Sequence, residues 1–147
     1  MAGTLPEPVS VQARRLDCAD LLGLLGRWRE ADDLIPRIDA PGSLRPFYLM
    51  SAGVAAARLG DRARALAFSD SLARMPARTR AELWWTPMIE YGRAAIAAAL
   101  GDREDALRRL RLWRTKGDWA PDKLHSDPVF IPYFSDPRFR QLLEAED

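Results

Sequence analysis

One histidine and one cysteine bound the chemistry this chain could perform. His125 sits in Asp-Lys-Leu-His-Ser-Asp-Pro, with Asp122 and Asp127 close in sequence. A nucleophilic arrangement would pair it with one of those aspartates and with Ser126 or Cys18. The plainer reading is a histidine beside a turn, hydrogen-bonded to a nearby carboxylate or backbone group. A single His and a single Cys cannot furnish a four-ligand zinc site, and no carboxylate run has calcium-loop spacing. Neither Gly-x-Gly-x-x-Gly nor a Walker-type Gly-Lys-Ser/Thr occurs, and Gly23 and Gly26 fall on or beside a helix end. Cys18 lies within an apolar stripe, where a small buried residue is expected rather than a reactive thiol. The residues therefore point away from an enzyme, and no metal or cofactor is expected.

Composition narrows the alternatives. With 147 residues the chain is one domain by length. Its 48% hydrophobic and 29% charged residues are those of a globular chain, not a disordered one. A net charge of +1, from 22 basic and 21 acidic residues, argues against nucleic-acid or anionic-membrane attraction. Arg-Arg-Leu-Arg-Leu-Trp-Arg (108–114) could stack RNA bases on Trp113, but Trp113 lies on a helical apolar stripe and is expected in the core. The opening Met-Ala-Gly-Thr-Leu-Pro-Glu-Pro-Val-Ser lacks a basic and apolar leader, and Ala94–Leu100 is too short to span a bilayer. The expected location is the cytoplasm.

The elements that carry these residues are helical. Leu16, Ala19 and Leu22; Ala65, Phe68, Leu72 and Met75; and Ala106, Leu110 and Trp113 each recur at helical spacing. Strand alternation and Asn-Gly or Asp-Gly hairpin turns are missing. Gly26, Gly60 and Gly101 each close an apolar run, as a left-handed glycine after a helix does.

Those three glycines repeat a pattern. Each is followed five positions later by alanine: Ala31, Ala65 and Ala106. Gly26 and Gly60 are 34 residues apart, and Gly101 follows after 34 more plus an insertion of 7. Paired helices at this period resemble the tetratricopeptide repeat. In that family the glycine ends the first helix of a pair and the alanine lets the second approach closely. Trp28, Gly53 and Ala19 also stand where the resemblance places an aromatic and two small residues. The resemblance covers about residues 11–117. Glu90 and Arg93 depart from it, falling where the family prefers apolar side chains.

The expected architecture is all-α: three antiparallel helix pairs in a short solenoid, right-handed by the resemblance, plus a C-terminal capping helix. Residues 1–9 read as a linker, 10–117 as repeats (about 10–40, 44–76 and 79–117), and 118–147 as a closing segment. Its text, Asp-Pro-Val-Phe-Ile-Pro-Tyr-Phe-Ser-Asp-Pro-Arg-Phe, holds two helix-start signals, Asp127-Pro128 and Asp136-Pro137. The first should turn Phe130, Ile131, Tyr133 and Phe134 inward, and the second should open the last helix. This segment is similar to the tail that closes such arrays in bacterial signalling and regulatory proteins. The resemblance implies a concave groove binding a peptide or helix, lined by Phe47, Met50 and Val54 and, from the third pair, Tyr91. Trp84 and Trp85, at the insertion, are further partner-binding candidates. Self-association, with the groove filled by this or a neighbouring chain, stays open beside this reading. So does a helical enzyme or small-ligand domain.

Overall fold

In the computed structural model the chain is described over residues 8–37, 42, 44–75, 86–116 and 121–144, and these are helical with no strand among them. Helices α1 (Val9–Leu24), α2 (Trp28–Leu34), α3 (Arg45–Arg58), α4 (Arg62–Ala73), α5 (Thr86–Ala99) and α6 (Arg103–Thr115) pack in consecutive pairs. Pro36 ends α2 early, and Ile35–Arg37 continues as one 3₁₀ turn. A short α7 (Pro121–Ser126), which the periodicity does not announce, precedes a 3₁₀ segment, Pro128–Tyr133, and then α8 (Pro137–Leu143).

The corner between the two helices of each pair is built alike three times. Gly26, Gly60 and Gly101 adopt φ of 73°, 82° and 78°, the left-handed region that favours glycine. At the second corner Gly60 N–H donates to the Ala57 carbonyl at 3.1 Å, and Asp61 N–H reaches back to Ala56 at 2.9 Å. The same bonds recur around Gly26 and Gly101. This paired closure satisfies carbonyls that the helix end would otherwise orphan. At the second and third corners the next residue, Asp61 or Asp102, accepts from the backbone N–H of Arg64 or Asp105 and starts the following helix. One glycine and one aspartate thus reverse the chain. Ala31, Ala65 and Ala106, the alanines of the pattern, are all buried.

The second pair meets the third mainly through α3 against α5, with α4 also reaching α5, and it meets the first pair through α3 against both α2 and α1. Gly53 allows the closest approach: a Cβ there would fall inside 3.0 Å of the buried Ile96 side chain on α5. Ala19, Ala31, Ile35, Ala52 and Ala55 form a small core between the first two pairs. A larger core joins α3 to α6 with the closing segment, and Trp113 sits fully buried in it as the stripe predicts.

Glu90 departs from the apolar pattern because it has partners. It is buried, yet its carboxylate accepts from Arg109 at 3.4 Å and Lys116 at 3.2 Å. Arg93 donates to Ser69 Oγ at 3.3 Å. Arg109 also pairs with Asp105 at 2.7 Å, one turn earlier on α6. Glu104, on the same helix, takes Arg138 of α8 at 2.9 Å.

The closing segment covers α5 and α6. Phe130 and Phe139 are fully buried, with ring centres 5.9 Å apart, and Tyr133 donates its hydroxyl to the Ala98 carbonyl at 3.1 Å. Ile131 does not turn inward; it is 55% exposed, and Val129 is buried instead. The tight 3₁₀ winding brings residues three apart onto one side, so Phe130 and Tyr133 share the inner face and Ile131 is left outside.

Asp136 starts α8 as expected, accepting from Arg138 N–H at 2.9 Å. The Arg138 guanidinium at 3.0 Å, that backbone bond and Arg103 at 3.3 Å hold its pKa down to about 2. A depressed carboxylate stabilises fully above its unfolded pKa of about 3.9 and loses that contribution as pH falls through the folded value. Urea unfolding across a pH series should therefore show wild type losing stability between about pH 4 and about pH 2 more steeply than Asp136→Asn, whose side chain still caps the helix. Parallel curves for the two proteins would refute the charge linkage.

Candidate functional site

A concave cavity of about 370 Å³ lies where the first helices of the three pairs meet the closing segment. Helix α1 contributes Ala19, Asp20, Gly23 and Leu24, and α3 contributes Met50, Ser51, Val54, Ala55 and Arg58. From α5 come Tyr91 and Ala95. The far wall is made by Trp28, Ala31 and Ile35 on one side and by Lys123 and Ser126–Val129 on the other.

Three of the sequence-predicted partner-binding residues, Met50, Val54 and Tyr91, are brought together here. They lie on the same side of the stack because Met50 and Val54 are one turn apart on α3 and α5 packs beside it. Phe47, the fourth, is not on the cavity lining; like Met50 and Val54 it is half-buried against the larger core. It stands one turn before Met50, near the start of α3, where the chain's own residues cover it. Trp84 and Trp85 lie outside the described residues. The far wall is what sequence reasoning missed. Trp28 belongs to a second helix, and the closing segment reads as a cover for the stack rather than as a wall of the cavity. The signal for Trp28 was its place two residues after the corner glycine, from which its ring folds back over Gly23.

The polar groups on the wall are held in defined pairs. Tyr91 is buried and donates its hydroxyl to Asp127 Oδ2 at 2.5 Å. Burial first, then the Asp127 charge and hydrogen bond, push the Tyr91 pKa up, so the phenol stays protonated. Asp127 also accepts from Val129 N–H at 3.0 Å, so one carboxylate both starts the 3₁₀ segment and fastens it to α5. Asp20 Oδ1 accepts from Ser51 Oγ at 2.6 Å, joining α1 to α3. Asp20 is exposed as a residue, yet enough protein surrounds its carboxylate that burial raises its pKa. Asp17 and Asp127 push the same way, and the Ser51 hydrogen bond opposes them. Arg58 lies 5.9 Å from the centre of the Trp28 ring, and Lys123 Nζ 5.1 Å from that of Tyr91.

The residues first considered for catalysis are not assembled. His125 is exposed on α7 with its ring 5.7 Å from that of Phe134, while Asp127 is engaged by Tyr91 and Ser126 donates to the Lys123 carbonyl. Cys18 is exposed, not buried, because it falls between the inward positions Leu16 and Ala19. Among the described residues no group of three His, Cys, Asp or Glu side chains is placed to hold a metal ion. No helix among them is long and apolar enough to cross a membrane.

What the arrangement can do is hold a guest. A volume of about 370 Å³ is at the low end for ligand sites, about 300–1,000 Å³. It has room for a few side chains and is too small to enclose a whole helix about 10 Å across. No protein-family model matches the chain, and no significant match is found among curated proteins or solved structures.

Proposed function

We propose that this chain is a short tetratricopeptide-like array that binds a protein partner through apolar side chains inserted in the cavity, and that it catalyses no reaction. One observation carries the reading: Met50, Val54 and Tyr91, from two first helices, converge with Trp28 on one concave, mainly apolar wall. The threefold glycine corner with its buried alanine supports the repeat reading. Such a module suits a regulatory or signalling assembly in a bacterial cytoplasm, as the C-terminal part of a larger protein.

Val54 is the residue to test, since it is half-buried on the wall, at the edge of the larger core and not inside it. Val54→Glu places a charge on the apolar wall and should weaken partner capture by roughly tenfold or more while circular dichroism stays unchanged. Ile131→Glu, on the outer surface, should capture as wild type does. A folded Val54→Glu protein that keeps its partner would locate binding elsewhere.

A second reading, self-association, is favoured by Leu21, Leu24 and Leu25, which are 58%, 59% and 71% exposed at the outer end of α1. Light scattering of wild type beside Leu21→Glu/Leu25→Glu separates the two: a dimer lost only in that variant supports self-association through α1.

A further inference from the structure

The cavity wall distributes its charges unequally. Its two cations lie near aromatic rings: Arg58 near Trp28, and Lys123 near Tyr91 with Nζ also 3.3 Å from Met88 Sδ. Of its two acids, Asp127 is occupied on both oxygens, by the Tyr91 hydroxyl and the Val129 N–H. Asp20 is different. Ser51 takes one oxygen, and among the described residues Oδ2 accepts no hydrogen bond and no cation pairs with the carboxylate.

We infer that the cavity selects a peptide carrying a lysine or arginine beside its apolar anchor, with the anchor against Met50 and Val54 and the cation on Asp20. This rests on the peptide-binding reading above and adds the chemistry of the guest. Apolar burial holds the anchor but does not discriminate among hydrophobic side chains. A carboxylate beside that wall does, because a charge-assisted bond in a partly dehydrated site is stronger than one in water. Its acidic neighbours, Asp17 and Asp127, add to the attraction for a cation. A carboxylate of the guest would meet repulsion at Asp20 itself, whatever attraction Arg58 and Lys123 exert elsewhere on the wall.

The test selects a displayed library of random peptides, about four helical turns long, on wild type and on Asp20→Asn in parallel. Asparagine keeps an acceptor for Ser51, so the α1–α3 contact is preserved. Wild type should enrich Lys or Arg at a fixed distance from an apolar anchor, and Asp20→Asn should not. The strongest binder, resynthesised with norleucine in place of the cation, should lose roughly ten- to a hundredfold in affinity by fluorescence anisotropy on wild type. On Asp20→Asn it should lose little. Binders with no cationic preference, acidic binders, or a preference that survives Asp20→Asn overturn the inference. The cavity reading stands in those cases if Val54→Glu abolishes binding. Selection of no peptide at all overturns both.

Discussion

Phe130→Ala is expected to destabilise the protein by about 3–5 kcal/mol, a large share of the roughly 5–15 kcal/mol available to a domain. The side chain is fully buried and meets three other rings. Tyr91 lies edge-on at 5.8 Å, Phe139 stacks at 5.9 Å and Tyr133 lies at 6.5 Å. Truncation would remove the apolar contact and leave a void that helices fixed by their own hydrogen bonds cannot close. Tyr91 would be affected too, since its hydroxyl bond to Asp127 depends on the 3₁₀ segment staying docked. Ile131→Ala, one residue away and 55% exposed, should change stability by no more than about 0.5 kcal/mol. Urea unfolding of both variants reads the contrast directly. Similar, small losses for the two would mean that the closing segment covers the stack without being part of its core.

The second large effect concerns Glu90. Glu90→Ala should cost about 3 kcal/mol, because it strips Arg109 of one partner at a site where that guanidinium is only 10% exposed. The loss sits at the low end of the range for broken buried pairs, since Asp105 still holds Arg109 at 2.7 Å. Lys116, 43% exposed, can return to water. Replacing both partners, Glu90→Met with Arg109→Met, removes the two desolvated charges together and should recover most of the loss. A double-mutant cycle by chemical denaturation, built from Glu90→Met, Arg109→Met and the two together, then gives a coupling of about 2 kcal/mol or more. Additive single effects would show that the pair is screened by solvent and stabilises little.

The sequence by itself determined what is decided locally. A residue after a helix that must take positive φ has to be glycine to avoid strain, so Gly26, Gly60 and Gly101 announce the corners and their repetition. An aspartate before a proline favours a helix or turn start, because its side chain can cap and the proline needs no N–H partner, so Asp127 and Asp136 mark the starts of the 3₁₀ segment and α8. Helical spacing likewise put Trp113 in the core, because a stripe has to face something.

Where a side chain's surroundings come from distant parts of the chain, the same text was mute or misleading. Cys18 and Ile131 are apolar enough for burial, yet whether an individual position faces inward depends on helix phase and on winding. Glu90 looked like an error in the pattern until α6 brought Arg109 and Lys116 against it. The cavity could be read only in half. Met50, Val54 and Tyr91 follow from counting along first helices, but Trp28 and Asp127 complete it from segments roughly a hundred residues apart. Spacing along a helix is a local property that sequence states outright; the packing of one helix against another arises from many weak contacts at once, and only the tertiary structure decides which of those contacts are made.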